Sequence, residues 1–210
     1  MTSGPSAADE FRVLHTIRCV GFAGEDRVAA VSGLDSGHTL TTLRALTERG
    51  LLSRLEGVFG GWGLTDEGRV ADADWVLAEL EAADARGDVE AAYGEFLGLN
   101  PKLLQICSDW QMLTVAGTSI LNDHRDPDYD AGVVDRLIKL DRSAQRILES
   151  LCGRLSRFGS YRNRLTANLE RVMAGETDRL ADNLDSYHTV WFHLHEDLLA
   201  TLGRERGFDR

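Results

Sequence analysis

The sequence predicts a mainly α-helical protein with two domains, a mixed N-terminal domain over residues 1–85 and an all-helical domain over 86–210. Two observations indicate this fold class. Only three of the 210 residues are proline, while the helix-forming residues Ala, Leu, Glu and Arg are abundant. Apolar residues recur mostly at the three-and-four spacing of a buried helical face, except over 51–65, where glycines separate two short strand-like runs.

Three helices are predicted before residue 50. The first covers residues 9–21, and the second covers 25–33, where Gly33 is a natural stop. In the short turn that follows, Asp35 or Ser36 can act as the N-cap of the third helix. The apolar residues on one face of that third helix are Leu40, Leu43 and Leu46.

A two-stranded hairpin is predicted after the third helix. Residues 51–58 suggest the first strand, 59–61 a glycine-rich tip and 62–65 the returning strand. Two short helices joined by a tight turn form a helix-turn-helix, whose second helix normally enters the major groove of DNA N-terminus first. A hairpin placed directly after it is a wing.

Two stretches carry a resemblance to a known family. SGLDSGHTLTTLRALTERGLLSR, residues 32–54, resembles the turn, recognition helix and exit into the wing of winged-helix bacterial regulators of the MarR and PadR type. WGLTDEGR, residues 62–69, resembles their returning strand and helix start. The resemblance covers about the first third of the chain and implies a winged helix-turn-helix that binds double-stranded operator DNA.

The expected DNA contacts lie on the third helix and at the start of the wing, where small hydroxyl residues allow close approach. They are Ser36, His38, Thr39, Thr41, Thr42, Arg44, Arg49 and Arg54. The resemblance also implies arginine or lysine at the wing tip, but residues 58–62 contain neither. We therefore expect the main contacts from residues 38–49.

Net charge is −11, but it is distributed unevenly. Residues 1–70 carry 7 basic and 9 acidic residues, whereas 71–134 carry 3 basic and 13 acidic ones. Because affinity for DNA depends largely on cationic contacts with phosphate, the nearly neutral N-terminal region predicts modest affinity, strong salt dependence and a homodimer that presents two modules.

Helices are predicted over the rest of the chain. After Arg69, one helix has two apolar stripes, which comprise Val70, Ala73, Leu77 and Leu80 and, on the other face, Ala71, Trp75, Ala78 and Ala82. Further helices are expected over 89–99, 102–112, 131–158, 161–174 and 178–202, with Asn100-Pro101 as a break. In the longest of them, Leu137, Ala144, Leu151 and Phe158 recur every seven residues, an apolar face suited to a bundle or a dimer.

Aromatic and histidine residues are dense in the last helix. A small-molecule effector pocket is predicted from this density, lined by Trp110, Tyr187, His188, Trp191 and His195, although these side chains can equally belong to the core. No pair of histidines in this helix has the spacing of three or four that a shared metal needs, and no metal site or cofactor is predicted.

Two further patterns have an ordinary structural interpretation. Asp126, Asp128 and Asp130 alternate like the first ligands of a calcium loop, but Leu137 stands where the bidentate Glu is needed, which favours an exposed loop whose last acid caps the next helix. Cys19, Cys107 and Cys152 are widely spaced, without a C-x-x-C or Cys/His ligand pattern, and are expected to be reduced core residues.

A basic stretch within 135–171 has three interpretations. It can be a solvated face paired with the acidic helices of 71–134, an anionic ligand pocket that uses Arg157, Arg162 or Arg164, or an extra phosphate contact. The first is favoured because charge runs are usually surface.

Catalytic and phosphate-binding motifs are not recognised in the sequence. The residues predict a non-enzymatic, cytoplasmic, homodimeric transcriptional regulator modulated by a small-molecule effector. The alternative is a protein-interaction module that keeps the winged helix as a scaffold and docks on an enzyme or a component of the transcription machinery. Substitution of Thr41, Thr42, Arg44 and Arg49 discriminates the two, since only a DNA-binding protein needs these side chains.

Overall fold

The computed structural model describes residues 4–57, 60–115 and 117–204. Helices dominate these residues, which confirms the predicted mainly α class, and two separate two-stranded antiparallel hairpins accompany them. The chain divides into two compact units. The first unit takes in the described residues up to Asp84 and those from His195 onward, and the second unit is Ala85–Leu194. Among the described residues, no helix is long and apolar enough to cross a bilayer.

All three helices predicted before residue 50 are present. They are α1, Ala7–Val20, α2, Glu25–Ser32, and α3, Ser36–Glu48. Gly33 ends α2 in the left-handed conformation, with φ of 72°, which a glycine adopts without strain. Asp35 is the N-cap of α3, and its side chain accepts a hydrogen bond of 3.0 Å from the His38 backbone N–H. A tight turn between α2 and α3 follows directly from these two residues.

The first hairpin pairs β1, Leu52–Leu55, with β2, Gly61–Leu64, and Leu52 lies opposite Leu64. Ala23, in the loop between α1 and α2, adds an isolated bridge to β2 through two backbone hydrogen bonds with Trp62, of 3.1 and 2.8 Å. Residues 58 and 59 of the predicted tip lie outside the described residues.

One apolar core joins these elements. Helix α1 packs against α2 and α3, and the hairpin closes the side that they leave open. The buried members of this core are Val13, Leu14, Ile17, Ala23, Val28, Leu43, Leu46, Leu51, Leu52 and Trp62. Most of these residues lie at the spacing that the sequence predicted for the inner faces of the helices.

Helix α4, Asp66–Ala82, begins at the N-cap Thr65, whose hydroxyl accepts a hydrogen bond of 2.9 Å from the Gly68 backbone N–H. Its buried residues are Gly68, Asp72, Val76 and Leu80. The two predicted apolar stripes are therefore wrong in part, because Val70 is 62% exposed and Leu77 is 42% exposed. Gly68 sets the rotation of the helix, since its missing side chain allows the backbone to approach the Leu51 carbonyl.

In the second unit, helix α5 runs unbroken over Arg86–Gln111, with Pro101 inside it. The predicted break at Asn100-Pro101 is thus wrong. A proline in a helix interior removes one hydrogen bond and costs about 3 kcal/mol. Apolar burial on both sides offsets this cost, because Phe96 and Leu103 are almost completely inaccessible to solvent.

A second hairpin, absent from the sequence prediction, follows α5 immediately. It pairs β3, Met112–Val115, with β4, Thr118–Leu121, in antiparallel register. Gly117 lies in its turn with φ of 82°. The β-branched residues and this glycine were a hairpin signal in the sequence, but the run is short and its second strand is exposed.

Helix α6, Pro127–Arg154, begins earlier than predicted. Asp126, and not Asp130, is its N-cap, with Oδ1 accepting hydrogen bonds of 3.1 Å from the backbone N–H groups of Asp128 and Tyr129. The heptad-spaced residues Leu137, Ala144, Leu151 and Phe158 are all buried within the single chain, which favours the bundle over the dimer. The helix also ends earlier than predicted, because Phe158 lies in a 3-10 turn, Ser156–Phe158.

The remaining helices are α7, Gly159–Met173, and α8, Tyr187–Leu202. The last helix was predicted from residue 178, but a single 3-10 turn, Thr177–Arg179, stands there instead. Leu184, which lies within the predicted helix, is 74% exposed. The predicted domain 86–210 also differs from the second unit, since residues from His195 belong to the first unit.

We predict that Gly68→Ala destabilises the first unit. An added Cβ would lie 2.0 Å from the Leu51 carbonyl oxygen, so the backbone must move, at a cost of about 1–3 kcal/mol. Gly37→Ala is the matched control in α3, because its Cβ meets only ordinary contacts, and it should stabilise by roughly 0.5–1 kcal/mol. Urea unfolding of both variants measures the difference. Equal stability of the two would show that α4 does not approach Leu51 this closely.

Candidate functional site

The exposed side of α3 forms a narrow stripe, called here the α3 face. Its members Gly37, Thr41, Arg44 and Glu48 are all exposed and recur at the spacing of one helical face. The Thr41 hydroxyl donates a hydrogen bond of 2.9 Å to the Gly37 carbonyl, which leaves its oxygen lone pairs directed to solvent. Within the described residues, Arg44 forms no ion pair. The α3 face therefore presents to solvent the Arg44 guanidinium and the acceptor side of the Thr41 hydroxyl.

Two of the predicted DNA contacts, Thr39 and Thr42, are wrong. Both are fully buried, because they lie on the same side of α3 as the core residues Leu43 and Leu46. The Thr42 hydroxyl donates a hydrogen bond of 2.8 Å to the His38 carbonyl, whereas the Thr39 hydroxyl is buried and has no hydrogen-bond partner among the described residues. Neither side chain can touch a ligand on the surface of the helix.

Two further predicted contacts are held by acids of α1. The His38 imidazole lies 3.1 Å from an Asp9 carboxylate oxygen, and Arg49 forms an ion pair with Glu10. Hydrogen bonds from the Ser6 hydroxyl and, to a lesser extent, from His38 lower the pKa of Asp9. His38 and Arg49 thus connect α3 to α1. Because each lies beside a carboxylate, their interaction with DNA phosphate is weaker.

Ser36 and Arg54 remain accessible at either end of the predicted interface. Ser36 is exposed in the first turn of α3, and Arg54 is exposed on β1. The Arg54 guanidinium lies over the Trp62 ring, 5.1 Å from its centre. This cation–π contact orients the guanidinium, which stays exposed to solvent. Of the predicted set, Ser36, Thr41, Arg44 and Arg54 are therefore free to contact DNA.

The predicted effector residues are divided between the two units. Four of them lie in the second unit, and His195 lies in the first. Trp110 donates a hydrogen bond of 2.9 Å to the Thr177 carbonyl, and Trp191 donates one of 3.1 Å to the Asn100 side chain. These two indole rings, almost fully buried, therefore belong to the core.

The other two effector residues of the second unit have different surroundings. The Tyr187 hydroxyl donates a hydrogen bond of 2.9 Å to an Asp141 carboxylate oxygen. Burial, together with that carboxylate, raises the pKa of Tyr187, so its hydroxyl stays a donor. His188 is half-buried, and desolvation lowers its pKa, which keeps the imidazole neutral near pH 7.

A cavity of about 550 Å³ lies elsewhere in the second unit, between α5 and α6, and is called here the α5–α6 cavity. Its lining is Leu99, Pro101, Lys102, Gln105, Ile106, Arg136, Lys139, Leu140 and Ser143.

Two arginines of the predicted basic stretch form ion pairs with acidic residues of α5. Arg136 forms one of 2.5 Å with Asp109, and Arg154 forms one of 2.7 Å with Asp88. These two pairs support the interpretation of the basic stretch as a face paired with acidic helices.

The aspartates of the calcium-like loop serve separate local contacts. While Asp126 caps α6, the Asp130 carboxylate accepts a hydrogen bond of 2.9 Å from Asn122 and lies 3.0 Å from the His124 imidazole. His124 in turn packs against Trp110, with ring centres 4.5 Å apart. These contacts explain the loop as the start of α6.

One cluster escaped the sequence prediction, and it is called here the histidine cluster. His15 of α1 has Nδ1 2.9 Å from an Asp72 carboxylate oxygen and Nε2 3.1 Å from an oxygen of Asp197. The Cys19 sulfur lies 3.6 Å from the same Nε2. All four side chains are buried, and each is less than 9% exposed. Burial raises the pKa of Cys19 despite the opposing effect of His15.

A partial signal for this cluster exists in the sequence. His15 and Cys19 are four residues apart on a predicted helix, which is a Cys/His spacing that was not recognised. Asp72 and Asp197 join it only because α4 and the end of α8 fold onto α1 within the first unit. No protein-family model, curated protein or solved structure matches the chain.

We predict opposite effects on stability for two buried threonines. Thr39→Val removes a hydroxyl that has no partner and should be neutral or raise the free energy of unfolding by up to about 1 kcal/mol. Thr42→Val removes a hydrogen bond and should lower it by about 0.5–1.5 kcal/mol. Thermal unfolding measures both. A Thr39→Val protein that lost DNA affinity while keeping its stability would place this residue on the surface instead.

Proposed function

We propose that the chain is a DNA-binding transcriptional regulator in which α3 enters the major groove. The α3 face carries this proposal. It presents Thr41 and Arg44 on a helix that follows α2 after a tight turn, the order typical of a helix-turn-helix. The hairpin β1–β2 follows directly and occupies the place of a wing. The resemblance of residues 32–54 and 62–69 to MarR and PadR regulators supports the same function.

Attachment of α3 to α1 favours a rigid recognition helix. Its inner side is fixed in the core by Leu43 and Leu46, and its two ends are fastened by the contacts of His38 and Arg49 with α1. A helix held at both ends presents its outer side chains in a fixed geometry, which reduces the entropy lost on binding. DNA contact is therefore proposed for Ser36, Thr41, Arg44 and Arg54.

Charge favours a dimer. One module supplies only two accessible cations to phosphate or bases from this set, and Glu48 on the same face is repelled by phosphate. A homodimer doubles the cations and lets two α3 helices contact half-sites one helical turn apart. We therefore propose a palindromic operator and binding that weakens steeply as salt is raised.

We predict that Arg44→Ala weakens binding to the operator roughly tenfold or more, because each base contact of an arginine contributes about 1–3 kcal/mol. Arg125→Ala is the matched control, since this arginine is 86% exposed in its side chain but lies in the second unit. Fluorescence anisotropy with the DNA upstream of the protein's own gene, compared with random DNA at low salt, measures both variants.

Two outcomes would contradict the proposal that the chain is a regulator that binds this DNA through α3. Wild-type protein that binds the upstream DNA no more tightly than random DNA would have no operator there. Equal affinities of the Arg44→Ala and Arg125→Ala proteins would remove α3 from the interface and favour the protein-interaction module. Circular dichroism of both variants excludes unfolding as the cause of lost binding.

The α5–α6 cavity is a better candidate for an effector-binding site than the predicted aromatic and histidine residues. Ile106 and Leu140 give it an apolar wall, while Lys102 and Lys139 line it as cations. This combination suits an amphipathic anion, and ligand sites commonly combine an apolar lining with a few polar groups. We propose that such a molecule binds there and shifts the affinity of the regulator for its operator.

We predict that Lys139→Glu weakens saturable binding of the anionic probe anilinonaphthalene sulfonate severalfold, because it reverses one charge of the cavity wall. Arg142→Glu, on the same helix but outside the lining, is the matched control and should bind as wild type does. Fluorescence titration measures both. Identical titrations of the two variants would place the anion site elsewhere.

A further inference from the structure

We propose that His15, Cys19 and Asp197 form a binding site for a divalent transition-metal ion of the zinc class. The three side chains belong to the first unit and are buried. Their donor atoms, an imidazole nitrogen, a thiol sulfur and a carboxylate oxygen, all lie within 4.8 Å of one another. Nitrogen, sulfur and oxygen are the three donors that zinc uses in proteins. The site does not depend on the proposed DNA-binding function.

Spacing between the donor atoms fits a tetrahedral ion. Zinc bond lengths place an imidazole nitrogen and a thiolate sulfur about 3.6 Å apart, and a nitrogen and a carboxylate oxygen about 3.3 Å apart. The observed separations from His15 Nε2 are 3.6 Å to the Cys19 sulfur and 3.1 Å to the Asp197 oxygen. These two separations are within a few tenths of an ångström of the values that a tetrahedral ion sets, and the Cys19 sulfur lies within 4.8 Å of the Asp197 oxygen.

Backbone positions of the donors also suit chelation. His15 and Cys19 are four residues apart on α1, so both side chains emerge on the same face, as paired helical ligands do. Asp197 comes from the end of α8, and its Oδ1 lies 3.1 Å from the Thr201 hydroxyl one turn later. Three protein ligands leave the fourth tetrahedral position for a water molecule.

Asp72 supplies the second shell that a metal-bound histidine requires. A ligating imidazole generally donates its other N–H to a carboxylate, which fixes the tautomer and raises the basicity of the ligand. His15 Nδ1 lies 2.9 Å from Asp72 Oδ1, so Nε2 is the nitrogen that faces the Asp197 carboxylate and the Cys19 sulfur. Asp72 is thus a positioning residue for the ion.

Charge in the cluster favours a cation. Two buried carboxylates, Asp72 and Asp197, flank the imidazole at 2.9 and 3.1 Å, and buried carboxylates favour a cation placed beside them. A divalent ion bound there would also have the Cys19 sulfur, 3.6 Å from His15 Nε2, as a ligand.

Titration of the full chain with Co²⁺ tests the site. The chain is first stripped with a chelator under reducing conditions. We expect one Co²⁺ per chain, tetrahedral visible absorption, a thiolate-to-cobalt charge-transfer band in the near ultraviolet, and displacement of Co²⁺ by Zn²⁺. Cys19→Ser should lose the charge-transfer band. Cys107→Ser, which changes a buried cysteine of the second unit, should keep it.

The Asp72→Asn variant tests whether Asp72 positions the His15 ligand or binds the metal itself. It should lower the affinity for Co²⁺ roughly 10- to 100-fold while keeping the charge-transfer band, because the sulfur ligand remains. Absence of the band in the wild-type chain would overturn the site even if a variant failed to fold, and so would a band of equal strength in Cys19→Ser. The titration contains no DNA, so its failure is distinguishable from failure of the regulator.

Discussion

The His15 imidazole lies between two buried carboxylates that come from distant parts of the chain, and the arrangement of the first unit depends on it. Asp72 reaches it from α4 and Asp197 from the end of α8, while the apolar residues of the same helix α1 contact α2 and α3. Removing one partner from a cluster of buried ionisable groups is generally destabilising, because it disturbs the charge balance of the groups that stay buried. The helix that supports α3 is therefore also the helix that carries the polar centre of the unit.

This placement separates two roles within α1. Its apolar residues Val13, Leu14 and Ile17 belong to the core that fixes the inner side of α3. Acids in its first turns, Asp9 and Glu10, hold the ends of α3 through His38 and Arg49. As a result, hydroxyl and cationic residues of α3 that look equivalent in the sequence divide into structural ones and available ones. Among the predicted contacts, Thr41 and Arg44 of the α3 face, together with Ser36 and Arg54, belong to the available group.

Sequence periodicity predicted the helical class and the three N-terminal helices because caps and apolar spacing are local signals, as Asp35 and Gly33 illustrate. Sequence periodicity failed where contacts between residues far apart in the sequence determine the orientation or the length of a helix. Close approach of Gly68 to Leu51 rotates α4 away from its apparent apolar stripe, and burial on both sides carries α5 through Pro101. The exposure of Arg44 was predictable from its position on the helix, whereas the histidine cluster requires α4 and α8 to be placed on α1.

Asp197 belongs to the first unit but follows the whole second unit in the sequence, and this order affects how the chain folds during synthesis. The second unit is continuous over Ala85–Leu194, but the first unit is completed only by residues from His195 onward. As domains generally fold as units during synthesis, the second unit can fold before the first has all of its chain. Until α8 leaves the ribosome, His15 has one carboxylate neighbour instead of two. The first unit, although most of it is made before the second unit, is thus completed after it.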